Sequence, residues 1–328
     1  MKTRTGLIAL GIAVVALAGV AWQLDWRAVF AVWAEVAWPW VVVAALVNIA
    51  NTWVEGLRWQ TVLRASDIRI KAHRAFAAML VGTVGNVLLP LKLGEAARAW
   101  TLSQIERVPL PTVMFTVVLD RIIDGVAIVP MLAVLVVAGA PLGLRLPTGR
   151  ATVIGALVAV VTVRLLVAGW RRISARHGAG SGSRLTPHLE SFVRGLATLR
   201  QRHSLARAGA LALLSWCTRT VVVWSMFPAF GLAASPLHAL LALVTINVSI
   251  VVIPTPGNVG TFELAAAAAL HLLGAPAEVA VSFALALHLA EVVPTALMGA
   301  LTIWRLGLQL DRMAIAAAVA TESGPEEA

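Results

Sequence analysis

The stretch Ile253-Pro254-Thr255-Pro256-Gly257-Asn258-Val259-Gly260-Thr261-Phe262-Glu263 interrupts a chain that is apolar on either side of it. Proline removes a backbone donor and glycine loosens the backbone, so no straight helix is expected to run through these residues. A freed amide or carbonyl in hydrocarbon has no water to bond, and such a break survives only inside protein or beside a wet cavity. The stretch therefore decides between a plain helical bundle and one built around discontinuous helices. An Ala-rich helical pattern resumes at Phe262, with Glu263 in its first turn.

Composition sets the environment of that break. Of 328 residues, 59% are hydrophobic and 13% are charged, about half the charged share of soluble domains, and the mean hydropathy is +0.87. Several apolar runs reach the roughly 20 residues that a spanning helix needs, and the ten-residue alternation of a membrane barrel is missing. The class is all-α and polytopic. The net charge of +10 comes from arginines clustered between hydrophobic runs, which reads as topogenic loops beside anionic headgroups and not as a nucleic-acid surface. Cys217, the single cysteine, lies inside an apolar run and is expected to be a small buried residue, with no disulfide framework. No metal-ligand spacing, phosphate-cradling loop or nucleophile elbow is present, so neither a metal nor a cofactor is expected.

Lys2 and Arg4 precede an apolar run from Gly6 to Trp22. Ala16-Leu17-Ala18 has the form of a signal-peptidase site, but a basic N-terminus on a polytopic chain reads better as a retained first span. Trp22, Trp26, Trp33, Trp38 and Trp40 form an outer aromatic belt, with a short interfacial helix near 26–36. A second span runs from about Trp40 to Glu55 and ends at Arg58, Trp59 and Arg64; Arg69, Lys71 and Arg74 mark the loop after it as cytoplasmic. The run from Phe76 to Leu93 is broken by Gly85, Asn86, Pro90 and Lys92, and a short helix with Glu95 and Arg98 follows from Gly94. Either one continuous span or a re-entrant pair of half-helices fits; the re-entrant form gives the following span its correct orientation. Spans follow at 112–137, 151–170, 208–230 and 279–304. Between the second and third of these lies a strongly basic loop, 171–207, holding a flexible Gly178–Ser183 linker and a surface helix that starts at Thr186-Pro187. Residues 1–306 thus form one transmembrane domain of about six full spans plus two oppositely oriented re-entrant pairs, a possible inverted repeat. Residues 307–328 form a disordered tail, and both termini are cytoplasmic.

Arg98, Asp120, Arg121, Asp124, Glu263 and Glu291 all fall within or beside hydrophobic runs. A charge on a lipid-facing helix centre costs about 2.5–3.5 kcal/mol even on a lenient scale, so these side chains must face protein, one another or a ligand. Asp120 and Asp124 are four apart and Arg121 and Asp124 three apart, which suits a self-satisfied network around Arg121. Arg98 sits one turn into its half-helix, where an arginine beside free amides can receive a phosphate; pairing with Glu95 or Asp124 is the alternative. Glu263 can hold a cation or a proton, or only cap its break. His288 and Glu291, three apart, suit either a proton relay or an interhelical hydrogen bond.

Three motifs together carry a resemblance to a known family: Asn86-x3-Pro90-x-Lys92-x-Gly94-Glu95-x2-Arg98, then Asp120-Arg121-x2-Asp124, then Pro254-x-Pro256-Gly257-x2-Gly260-x2-Glu263. The chain resembles the membrane region of the lysylphosphatidylglycerol synthase/flippase family, from about Gly6 to Leu306. Asn258 stands where that family often has glycine. The resemblance implies a flippase-like domain of the bacterial inner membrane that binds or moves a lipid with a charged headgroup. The synthase activity in that family belongs to an appended soluble aminoacyl-transfer domain, which this sequence lacks, so an enzyme is not the first expectation. Candidate cargoes are an aminoacylated phosphatidylglycerol, an isoprenoid-linked sugar or phosphate, and a hopanoid-type lipid.

On this reading the headgroup is held by Asn86, Lys92, Glu95, Arg98, Asp120, Arg121, Asp124, Asn247, Glu263 and Glu291. Pro90, Gly94, Pro254, Pro256, Gly257 and Gly260 shape the breaks. Two alternatives stay open. One is an intramembrane transferase using Glu95 or Asp124 as base; the other is a non-catalytic subunit that recruits a lipid-synthesis enzyme.

Overall fold

The computed structural model describes residues 26–88, 93–139, 202–233, 235–253 and 255–308. Every regular element among them is helical: α1 Trp26–Ala34, α2 Trp38–Ala65, α3 Ala72–Leu88, α4 Gly94–Glu106, α5 Leu110–Gly139, α6 Arg202–Ala229, α7 Pro236–Val252, α8 Thr261–Leu272 and α9 Ala277–Leu306. A 3₁₀ turn, Pro256–Asn258, joins α7 to α8. The first hydrophobic run, the span expected at 151–170, the surface helix at 186–199 and the tail beyond Leu308 lie outside the described residues.

Length and composition make α2, α6 and α9, of 28, 28 and 30 residues, able to cross a membrane. At about 1.5 Å per residue each exceeds the roughly 30 Å of a hydrocarbon core. Large apolar side chains point outward on them: Leu297 is 66% exposed and Trp304 76%. Burial inside the protein does not explain that pattern, whereas lipid does. On α6 the exposed residues Leu214, Cys217, Val221 and Trp224 recur at helical spacing. Cys217 therefore belongs to an outward apolar stripe and is not buried, contrary to expectation. Its neighbours in sequence gave its polarity correctly but not its face.

The helix ends follow local chemistry. α7 opens on Ser235, whose N–H donates to His238 Nδ1 at 3.1 Å, with Pro236 in the first turn. α9 closes on Gly307 at φ 62°, with the Leu308 N–H returning to the Ile303 carbonyl at 3.1 Å. α2 closes in the same way at Asp67, φ 62°, the Ile68 N–H reaching the Leu63 carbonyl at 2.9 Å. α2 thus runs ten residues beyond its expected end at Glu55 and takes in Arg58 and Trp59, which are fully buried. Arg58 did not have to leave the helix, because carboxylates neutralise it in place. α6 begins at Arg202, so residues 202–207, expected in the basic loop, are helical.

The described residues divide into two compact units. One takes in those of Met1–Trp53, Ala77–Thr101 and Cys217–Ala328, the other those of Val54–Phe76 and Leu102–Trp216. In the first unit α8 packs on α7 and α9, and α9 packs on α1. The start of α4 lies antiparallel along α3: Met79 meets Arg98, and Gly85 approaches Gly94 and Ala97 so closely that a Cβ on it would sit 2.9 Å from both. Gly299 on α9 likewise leaves no room for a methyl against the Leu80 carbonyl and Val84 of α3. Asn48 Nδ2 donates to the Glu291 carbonyl at 2.8 Å, and Phe283 receives Phe227 and Phe230 with ring centroids 5.1 and 5.5 Å away. In the second unit, Trp59 Nε1 donates to Thr116 Oγ1 at 3.1 Å and Trp216 Nε1 to the Asp124 carbonyl at 3.3 Å.

Candidate functional site

The break between α7 and α8 rests on backbone geometry that side chains seldom take. Gly257 and Asn258 both lie in the left-handed region, at φ 60°, and Gly260 follows at φ 86°. Glycine bears that conformation without strain, and asparagine bears it better than most other residues. Asn258 therefore fits this backbone, at the position where the resemblance leads one to expect glycine. A Cβ on Gly257 would stand 3.8 Å from the Cα of Val87, so this turn reaches the end of α3.

Glu263 and His288 fasten the turn. Glu263 Oε2 accepts the Gly260 N–H at 2.7 Å, and its Oε1 lies 2.6 Å from His288 Nδ1 on α9. His288 Nε2 is 3.1 Å from the Gly257 carbonyl, and the imidazole stacks on Phe262 at 4.4 Å and 16°. A carbonyl only accepts, so Nε2 carries a hydrogen. The Nδ1–Oε1 contact then needs a proton of its own, held by either an imidazolium or a carboxylic acid. In both forms the pair is electrically neutral, which is how two titratable groups sit cheaply away from water. Of the readings open for Glu263, the Gly260 bond carries the cap and the His288 contact carries the shared proton. The bonds of His288 are interhelical, to Glu263 and Gly257.

At the other break, α4 starts under the amide of Asn86, whose Oδ1 accepts the Gly94 N–H at 3.1 Å. One of the amides expected to face an anion is thus satisfied from within the protein. Arg98 is buried, with Nε 2.8 Å from Glu95 Oε2, although the N–H is not aligned on that oxygen. Its Nη1 donates to the thioether of Met79 at 2.8 Å, a weak acceptor. The ion pair with Glu95 is therefore in place, held by charge more than by a directed hydrogen bond, and the Glu95 side chain is 27% exposed.

In the second unit the guanidinium between the two aspartates is Arg58, not Arg121. Arg58 Nε is 2.8 Å from Asp120 Oδ1, its Nη2 is 3.3 Å from Asp120 Oδ2, and its Nη1 bonds Asp124 Oδ1. The side chains of Arg58 and Asp120 are wholly buried. Arg121, by contrast, is 42% exposed and 3.7 Å from Asp124 Oδ2. Successive helix positions turn by about 100°, so Arg121 lies beside the Asp120–Asp124 stripe and cannot stand between its members. Arg58 was the residue that sequence reasoning missed as a site member. The available signal was that stripe, which asks for a cation from another helix.

Asn247 donates to the Leu243 carbonyl of its own helix at 2.8 Å. Glu291 stands on α9, one turn beyond His288, with its carbonyl taken by Asn48. Pro90, Lys92 and Pro254 lie outside the described residues. The expected site members that the first unit brings together are Asn86, Gly94, Glu95 and Arg98 at one break and Gly257, Gly260 and Glu263 at the other, with His288 added. Asp120, Arg121 and Asp124 belong to the second unit.

Helices long and apolar enough to span a bilayer, with ionisable side chains buried and paired within them, define an α-helical integral membrane protein. The chain belongs to the lysylphosphatidylglycerol synthase transmembrane-region family, whose model matches residues 6–299. Among curated relatives, it is 25% identical over 301 residues to the glycosyltransferase AglD of Haloferax volcanii, covering 80% of this chain and 48% of that one. It is 25% identical over 197 residues to a UPF0104 membrane protein of Methanothermobacter thermautotrophicus, covering 53% of this chain and 58% of that one. The chain spans about half the length of these relatives.

Proposed function

We propose that the protein is a flippase-like transporter of a lipid with a charged, phosphate-bearing headgroup, and that its two broken segments form the moving part. The observation that carries this reading is the approach of the Gly257 turn to Val87, at the last turn of α3. The turn after α7 meets the last turn of α3 there, and beside each break a carboxylate is paired with a nitrogen side chain: Glu95 with Arg98, Glu263 with His288. Family membership supports a role at membrane lipids. In this reading α3–α4 and α7–α8 are re-entrant pairs entering from opposite faces. Their half-helices of 17, 13, 17 and 12 residues are short for full spans. The arriving phosphate exchanges for Glu95 on Arg98, and the acyl or prenyl tail stays in the bilayer. The N-terminus with Lys2 and Arg4 and the Arg305 end of α9 face the cytoplasm of a bacterial inner membrane.

The test is transport of headgroup-labelled lipid by the full chain in proteoliposomes. Arg98→Ala should lower the rate at least about tenfold, the usual weight of a buried charge-assisted contact, while helicity by circular dichroism stays. An unchanged rate removes Arg98 from the headgroup site.

The likeness to a protein named as a glycosyltransferase favours one second reading, in which the lipid is sugar-linked and the chain serves a transfer reaction. Sugar transfer to a lipid-phosphate acceptor by the purified protein, without translocation, would replace the first reading by this one.

A further inference from the structure

We infer that the turn between α2 and α3 holds a second, separate phosphate site at the membrane boundary. Arg64, Arg69 and Lys71 line a cleft of about 550 Å³ together with Ile70. All three cations are exposed, and among the described residues none of their side chains makes an ion pair or a hydrogen bond. Arg74, three residues further on, is different: its Nη1 sits 2.8 Å from Glu106 Oε1 and is already neutralised.

The cleft is held in shape from below. Gln60, buried on α2, donates to the Ile70 carbonyl at 2.7 Å, and Ile68 and Ile70 point inward. The left-handed Asp67 fixes the turn out of α2. The loop therefore presents its cations from a set backbone and not from a loose tail. Because α2 is long enough to cross the bilayer, a loop starting at its last residue stands at headgroup level.

Three cations around one cleft, without a partner among the described residues, match a phosphate that carries two or more negative charges better than a phosphodiester with one. The ligand class is accordingly a phosphomonoester or a diphosphate. It arrives either as a lipid headgroup of that leaflet or as a soluble phosphate. This site is independent of Arg98 and of the transport reading, so either can fail without the other.

The experiment uses the full chain in detergent, titrated with phosphatidic acid in the presence of phosphatidylcholine, and counts bound lipid by native mass spectrometry. The parent should take up phosphatidic acid in preference. R64Q/R69Q/K71Q should weaken that uptake by roughly tenfold or more, because each cation near a membrane surface adds to anionic-lipid attraction. The three side chains are exposed and bond no described residue, so the described fold does not lean on them, and circular dichroism checks that it is kept. A charge-matched variant elsewhere, R107Q/R202Q/R305Q, should leave binding unchanged. Displacement of phosphatidic acid by pyrophosphate would identify soluble phosphate as a source as well, whereas binding without displacement would identify the lipid. Equal binding by the cleft variant and the parent, or equal loss in the charge-matched variant, overturns the site.

Discussion

Arg58 neutralises two buried aspartates of the second unit. Its two partners are 62 and 66 residues away in sequence, and all three side chains are nearly or wholly buried. Arg58→Met would leave two carboxylates in a dry interior, a loss of about 3–5 kcal/mol. Arg121→Gln, at a side chain that is 42% exposed, should cost less than about 1 kcal/mol. Reversible unfolding in denaturant, compared for the two variants, checks the order; a larger loss at Arg121 would return it to the centre of the network. The aspartate stripe was legible in the sequence because helix periodicity is local. Its cation was not, because a charge beside a span reads as a loop marker until the helix that neutralises it is known. The same limit applies to His288: its spacing from Glu291 could be read from the sequence, whereas the partner across the bundle, Glu263, could not.

At the scale of elements, the breaks were the most legible part of the chain, since Pro, Gly and Asn act through their own backbone. What could not be read was how closely the arms beside them pack. Gly94→Ala would drive a methyl into the Gly82 carbonyl and the Asn86 side chain. It should destabilise the α3–α4 pair by about 1–3 kcal/mol, as overpacking does. Gly257→Ala combines a left-handed φ of 60° with the approach to Val87, and should lose about 1–2 kcal/mol from backbone strain alone. Asn258→Gly should be tolerated, while Asn258→Val should not, because β-branched residues fit left-handed backbone poorly. Hydrogen exchange over residues 255–261 reads the three substitutions in the turn: faster exchange with Gly257→Ala and with Asn258→Val, and little change with Asn258→Gly. Equal exchange in all of them would mean that the turn does not hold its shape through these angles.

For the molecule as a whole, the class followed from composition, since a chain with so little charge has nowhere to fold but in lipid. The division of its buried charges into two units did not follow, because that depends on which helices meet. The proposed re-entrant architecture has a direct consequence. With Cys217→Ser as background, His73→Cys at the open end of the α3–α4 pair and Leu272→Cys at the open end of the α7–α8 pair should react in sealed vesicles with an impermeant thiol reagent from opposite faces. Labelling of both from the same face would remove the inverted arrangement. A different consequence comes from the proton shared by His288 and Glu263. The pair is neutral whichever partner holds that proton, and Glu95 with Arg98 is neutral as well. A membrane potential does work only on net charge carried across it, about 2.3 kcal/mol per charge per 100 mV. Motion of these two pairs through the field is therefore electrically silent. A current recorded during turnover should report the charge of the lipid and of Lys92 in the α3–α4 break, and not these pairs.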